Sequence, residues 1–255
     1  METEEARRQA RAIVNELLDY SFSQTFDILP AEQKLKAIYQ QCPNGIDALI
    51  GLMLVNIMLG NAANARALGE KIWSIGGNLS SFFELIYCDN LLNIGESDKA
   101  GILLQDRLNH IRDNLRHFYM VMVKYALLSG NLMLLKRIGD YPEVYEQERP
   151  LFEFAADHAL DMSVKDYRAV IKIILDNLKD SLCAWEYALH DGEGIELLLY
   201  TSLDVPQNAA MQEQLLERIK GYFLSMQQPP LPDMFFRLMN IKLHPAWAGN
   251  GDGSA

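Results

Sequence analysis

Histidine and carboxylate side chains crowd together at one point of the chain: His190 and Asp191 are followed by Glu193 and Glu196. An imidazole with several carboxylate oxygens is a donor set that a divalent cation could use. Gly192 and Gly194 put the run in a turn, and no second ligand group stands near it in sequence. It therefore reads as a solvated turn between helices. No pair among His110, His117, His158, His190 and His244 has the H-E-x-x-H spacing that sets two ligands one helical turn apart around a base. Gly192-x-Gly194 is too short for a phosphate loop and follows no expected strand, and a G-x-S-x-G nucleophile elbow is absent. Cys42, Cys88 and Cys183 are odd in number, far apart and without a C-x-x-C pair, as in buried thiols of a reducing compartment. Cys88 and Cys183 stand in apolar surroundings that favour an inert thiol over a nucleophile. The expectation is a protein that is not an enzyme and that carries no cofactor and no metal.

The elements that would position such groups are marked by a recurring glycine. Gly60 in MLGNAANA, Gly95 in NIGESDKA and Gly130 in LSGNLMLL follow one another at intervals of 35 residues. Each closes an apolar run, precedes a residue that suits a turn or cap, and has Ala65, Ala100 or Leu135 five positions on. A fixed period in this range is the mark of stacked helical hairpins. The spacing predicts three pairs: Ile46 to Leu59 with Ala62 to Ser74, Ser80 to Ile94 with Ser97 to Arg112, and Leu115 to Ser129 with Leu132 to Ile138. Ser97 followed by Asp98 reads as an N-cap with an acid in the first turn. A fourth pair is expected at Glu143 to Leu160, split or kinked at Pro150, and at Val164 to Leu178, capped by Ser163.

Helical spacing of Ala10, Ile13, Val14, Leu17, Leu18 and Ser21 predicts an amphipathic helix over 4–24, and Pro30 opens a second with Leu35, Ile38 and Tyr39 on one face. Past residue 181 the pattern decays. Short helices are expected at Cys183 to His190 and Ile195 to Ser202, a longer one at Pro206 to Met226, and a last one at Asp233 to Leu243 after the rigid Pro229-Pro230-Leu231-Pro232. That last segment, rich in Met and Phe, would cap the stack or dock on a partner or a second copy of the chain. No segment shows sustained period-2 alternation, so the fold class is all-α. The expected organisation is N-terminal capping helices over 1–45, repeats over 46–180, a non-repetitive helical part over 181–245 and a disordered tail over 246–255.

The chain has 255 residues, 49% hydrophobic, enough for a large core, and a formal net charge of −11. That sign repels phosphate backbones, so nucleic acid is not an expected partner. METEEARRQARA lacks the apolar run of a secretory leader. The longest apolar stretch, Ala48 to Leu59 apart from Gly51 and Asn56, is far short of the roughly 20 residues that cross a bilayer. It reads as a fully buried helix in a soluble, cytoplasmic protein with no membrane insertion. Arg107, Arg112, Arg116 and Lys124 with His110 and His117 form the densest basic run, which reads as a solvated junction between helices.

The repeats resemble the tetratricopeptide family, whose unit of about 34 residues also pairs two helices. The small contact position of that family falls on Ala65 and Ala100 and, in the third unit, on Leu135; the family's closing proline is absent from all three units. Its large first-helix positions fall on Leu49, Leu52 and Asn56, on Glu84, Tyr87 and Leu91, and on Tyr119, Met122 and Ala126, of which Asn56 and Glu84 fit a buried contact poorly. The resemblance implies a right-handed stack of antiparallel hairpins, an α-solenoid, with extra helices at both ends. It also implies a concave groove lined by the first helix of each unit. Carried over by position, the groove residues are Asp47, Ile50, Leu54 and Ile57, then Phe82, Leu85, Asp89 and Leu92, then His117, Met120, Lys124 and Leu127. The set is mainly apolar, and only Lys124 suits the family's carboxylate clamp. The expected function is that of a scaffold or chaperone-like adaptor taking a protein or peptide segment into an apolar groove, with a homodimer also open. A secretion-associated chaperone and a ligand-sensing regulatory domain are the alternatives. The same apolar positions would also serve to pack the chain's own N-terminal or later helices.

Overall fold

The computed structural model is described over residues 4–18, 28–76, 79–142, 146, 149, 164–190, 194–226 and 239–246. The glycine period shows in its backbone. Gly60, Gly95 and Gly130 have φ of 70, 79 and 66°, in the left-handed region where only glycine escapes a Cβ penalty. After each, the next amide closes the preceding helix by reaching back five residues, Asn61 to the Asn56 carbonyl, Glu96 to Leu91 and Asn131 to Ala126, each 2.8 Å. This is one helix stop used three times, and it satisfies a carbonyl the helix cannot bond itself.

Those stops separate α3 (Ile46–Met58) from α4 (Ala62–Ile75), α5 (Ser81–Asn93) from α6 (Ser97–Asn109), and α7 (Ile111–Ser129) from α8 (Leu132–Gly139). Before them come α1 (Glu4–Leu18) and α2 (Leu29–Gln41), and after them α9 (Val164–Leu178). Each first helix packs on its own second helix, and α3, α5 and α7 pack on one another in turn. Ala65, Ala100 and Leu135 are all buried where the second helices meet the core. Asn61 and Asn131 cap α4 and α8 by accepting from Asn64 and Leu134. The cap of α6 is Glu96, not Ser97, and its side chain makes no cap bond. Its carboxylate is drawn instead to Arg66, 3.0 Å away.

Every residue of α3 from Asp47 to Met58 is buried, as expected of a helix apolar all round. α1, α2, α4 and α5 surround it. A Cβ on Gly51 would come within 2.9 Å of Leu35 Cδ2 and Val14 Cγ2, so the missing side chain lets α1 and α2 close onto α3. Asn56, an awkward core residue on sequence alone, donates to the Leu52 carbonyl one turn back. Glu84 is half-buried and paired with Arg107 at 2.6 Å.

Past α9 the expectation of short helices fails. Leu182–His190 is strand β1 and Gly194–Thr201 is strand β2, paired antiparallel; Met239–Pro245 is strand β3, parallel to β2. The sheet order is β1-β2-β3. The molecule is thus mostly helical with one small sheet, and the all-α expectation is corrected. The reason lies in the packing. Trp185 and Leu182 face the repeats, while Ile195, Leu197 and Leu199 alternate on the buried side of β2. The half-buried Leu198 and Tyr200 between them hide that alternation in the sequence. Helix α10 (Val205–Leu224) provides the crossover that a parallel pair requires. It starts on a capping box between Asp204 and Gln207, with Pro206 in its first turn, and packs Leu215, Ile219 and Phe223 inward. Of the expected helix Glu143 to Leu160 only Glu146 and Arg149 are described, both helical. The kink at Pro150, the proline linker, residues 19–24 of the expected first helix and residues 247–255 lie outside the described residues. Ala246, expected to begin a disordered tail, is buried and its amide donates to the Thr201 carbonyl.

Candidate site: the inner face of the first helices

Of the positions assigned to a groove, those on α3 lie in a helix surrounded by α1, α2, α4 and α5. Ile50, Leu54 and Ile57 are buried, and Asp47 is buried against Arg11 of α1, with Nε 2.9 Å from Oδ2. The Arg11 guanidinium also lies over the Phe83 ring, 5.4 Å from its centroid. As placed, this third of the assigned face has no surface to offer.

On α5 and α7 exposure falls along each helix. At the N-terminal end Phe82 is 46% exposed, and Leu85 one turn on is half-buried. Asp89 follows, held by Lys124, and Leu92 is buried. On α7 Met120 is 43% exposed, Lys124 is half-buried and Leu127 is buried. The side chain of His117 lies outside the described residues.

What covers the C-terminal halves is the C-terminal part of the chain. The Trp185 indole N–H donates to the Leu92 carbonyl at 3.0 Å, and the Tyr167 hydroxyl donates to the Leu127 carbonyl at 2.8 Å. Leu92 and Leu127 are one repeat apart, so two unrelated aromatic residues cap the same carbonyl in successive units. Tyr167 is buried, which pushes its hydroxyl above the ordinary tyrosine range. Lys124 Nζ lies 5.8 Å from the centre of the Trp185 ring and bonds both Asp89 and Asn93 at 2.8 Å. Its charge is already engaged, so the one residue suited to a carboxylate clamp is not available for that role.

The turn glycines lie along the same seam. A Cβ on Gly95 would come within 3.0 Å of Leu175 Cδ2, one on Gly60 within 3.0 Å of Ala246 Cβ, and one on Gly130 would collide with Arg168. Arg168 Nε donates to the Gly130 carbonyl, and an Arg66 guanidinium N–H donates to that of Ile94. Burial lowers the pKa of Arg66, opposed by its partner Glu96. Between α9 and this edge runs a cleft of about 500 Å³, walled by Arg66, Glu96, Asp98, Lys172 and Lys179.

Of the acidic–histidine run, Glu196 is the residue whose side chain is described. His190 ends β1 opposite Gly194, Asp191 and Glu193 lie outside the described residues, and Glu196 is buried on β2 with Lys242 at 2.6 Å and Asn240 at 2.7 Å. Among the described residues no group of three His, Cys, Asp or Glu side chains is placed to hold a metal ion. Of the basic run, Arg107 stacks on Phe118 at 4.7 Å and pairs with Glu84. The side chains of Arg112 and Arg116 lie outside the described residues. Among the described residues no helix is long and apolar enough to cross a membrane.

Comparison with protein-family models, with curated proteins and with solved structures finds no match to this chain. Sequence reasoning held open that the chain's own N-terminal or later helices pack on these positions, but it missed the sheet. Its signals were Trp185, Tyr187 and Leu189 at every second residue, then a glycine-bearing turn at 191–194 and Ile195, Leu197 and Leu199 in alternation.

Proposed function

We propose that this chain is a tetratricopeptide-like helical-repeat scaffold, not an enzyme, that binds a protein segment on the open half of its inner face. The observation that carries the reading is the exposure of Phe82 on α5 and Met120 on α7, with Leu85 half-buried, where Leu92 and Leu127 of the same helices are buried. Methionine and aromatic side chains on such a surface suit an amphipathic helix or extended apolar segment, because they repack against varied partners. The repeated helix stop and the pairing of α3 with α4, α5 with α6 and α7 with α8 support a solenoid-type stack.

The test is a double change, Phe82→Ser with Met120→Ser, in material purified with its partner from the native host. Loss of the partner with an unchanged helical circular dichroism signal is the expected result; full retention sinks the assignment. Leu54 is unsuitable for this purpose, because it is buried and its truncation would report stability. A ligand-sensing reading has its own observation in the 500 Å³ cleft beside α9, a size typical of small-molecule sites. A thermal-shift screen separates the two, since a ligand selective for the native state raises Tm.

A further inference from the structure

We propose that α9, the three strands and α10 form a cover that opens as a unit from the C-terminal halves of α5 and α7. The stripes Phe82–Leu85–Asp89–Leu92 and Met120–Lys124–Leu127 run from exposed residues to Leu92 and Leu127, which are buried where Trp185 and Tyr167 bond their carbonyls. Opening therefore lengthens the apolar strip by Leu92 and Leu127, and in that respect the inference rests on the binding reading above.

Three observations carry it. First, alongside the apolar contacts that Leu175 and Leu182 make at the Gly95 turn, the cover meets the helix ends through polar tips: the indole of Trp185, the hydroxyl of Tyr167 and the guanidinium of Arg168 each donate to a carbonyl of the turn region. Such bonds have a short range and are replaced by water as soon as the parts separate. Second, the seam is incompletely packed, since the charged cleft of about 500 Å³ lies between α9 and the turn edge. Solvent already reaches along that line, so separation exposes less new surface there than across a dry core. Third, the cover is connected within itself: α10 packs on both α9 and β3, and Tyr222 of α10 bonds Asp166 of α9 at 3.0 Å. A body joined more firmly within itself than to its neighbour is the physical requirement for a cooperative sub-global opening.

The chain carries its own reporters. Cys183 is fully buried at the start of β1 against Ala62 and Ala246, on the seam, while Cys88 is fully buried in α5 among the repeats. Cys183 has no exposed surface, so its modification requires opening; burial also raises its thiol to about 11, partly offset by the Ala62 amide and Arg66. The experiment is thiol labelling of the full chain with a disulfide reagent in low, non-denaturing urea, read by peptide mass spectrometry. Cys183 should react at least about tenfold faster than Cys88, with a weaker dependence on urea. Trp185→Ala should raise the Cys183 rate by at least about a hundredfold and the Cys88 rate far less. Tyr167→Phe, a milder change that keeps the fold, should raise the Cys183 rate about fivefold. Equal rates and equal urea dependence for the two thiols, in wild type and in Tyr167→Phe, would mean that the cover leaves only with global unfolding and would overturn the proposal. That outcome leaves binding through Phe82 and Met120 standing, because the serine variants test it separately.

Discussion

The inner face of the repeats is closed at two places by two kinds of chemistry. At α3 the N-terminal helices bring Ala10, Val14, Leu17 and Leu35, all essentially without exposure, onto a glycine that lets them sink in. Apart from the Arg11–Asp47 pair the contact is apolar, and its strength scales with buried area at about 25 cal/mol per Å². At α5 and α7 the C-terminal part brings Trp185 and Leu182 into the same core and adds polar tips aimed at helix-end carbonyls. Each such bond contributes only about 1 kcal/mol net. Equivalent repeat positions are thus sealed by apolar burial at one end and by burial with polar latches at the other. The difference comes from the covering elements and, at α3, from Gly51.

The largest expected effect tests the latch directly. Trp185→Ala removes the largest apolar anchor of the cover and should cost about 3–5 kcal/mol. Urea unfolding followed by hydrogen exchange should then show the strands and α10 lost before α3. Leu35→Ala should cost about 2–5 kcal/mol with both ends lost in one transition. A single coincident transition for both variants would erase the distinction.

Glycine substitutions sharpen it. Gly51→Ala forces Leu35 and Val14 to move within a dry core and should cost about 1–3 kcal/mol. Gly130→Ala carries about 1–2 kcal/mol of backbone strain and also sets a Cβ in collision with Arg168 Cγ and 3.2 Å from Tyr167 Cδ1, so α9 itself must shift. A double-mutant cycle with Arg168→Ala should recover the cost of the clash and leave the backbone strain. No recovery at all would show that the seam yields freely at this point.

Alkaline pH gives the third comparison. Burial holds Tyr167 above the ordinary range and, with Glu186 nearby, raises Tyr200 to about 12. Because the folded-state values are raised, their contribution is complete below the unfolded pKa of about 10 and falls as pH climbs towards 12. Wild type should lose more stability between pH 9 and 11.5 than Tyr167→Phe does, as judged by urea midpoints; equal losses would remove Tyr167 from the latch.

The smallest effects concern the caps. Asn61→Ala and Asn131→Ala should each cost about 1 kcal/mol. Ser97→Ala should stay within about 0.5 kcal/mol, because Glu96 holds the cap position. Thermal melts of the three variants distinguish these values.

The helical part was legible because its signals are local. Gly60, Gly95 and Gly130 meet a backbone requirement that only glycine satisfies cheaply, and α3 is apolar on every side. The predicted boundaries of α9 coincide with those observed. The strands were not legible, since Leu197, Leu198 and Leu199 form a run that fits either a buried helix or a strand. Which of the two forms depends on partners more than forty residues away, among them Ile241 on β3.

By itself, then, the sequence determined where helices stop, how often the unit repeats and which stripe of each first helix is apolar. Those properties rest on φ, helical period and side-chain type, all fixed within a few residues. Only the tertiary structure decided which part of that stripe is open. Leu92 and Phe82 are alike in their local signal, yet β1 covers the first and nothing among the described residues buries the second. On α5 and α7 burial is decided by what arrives from elsewhere in the chain, and no local pattern there encodes it.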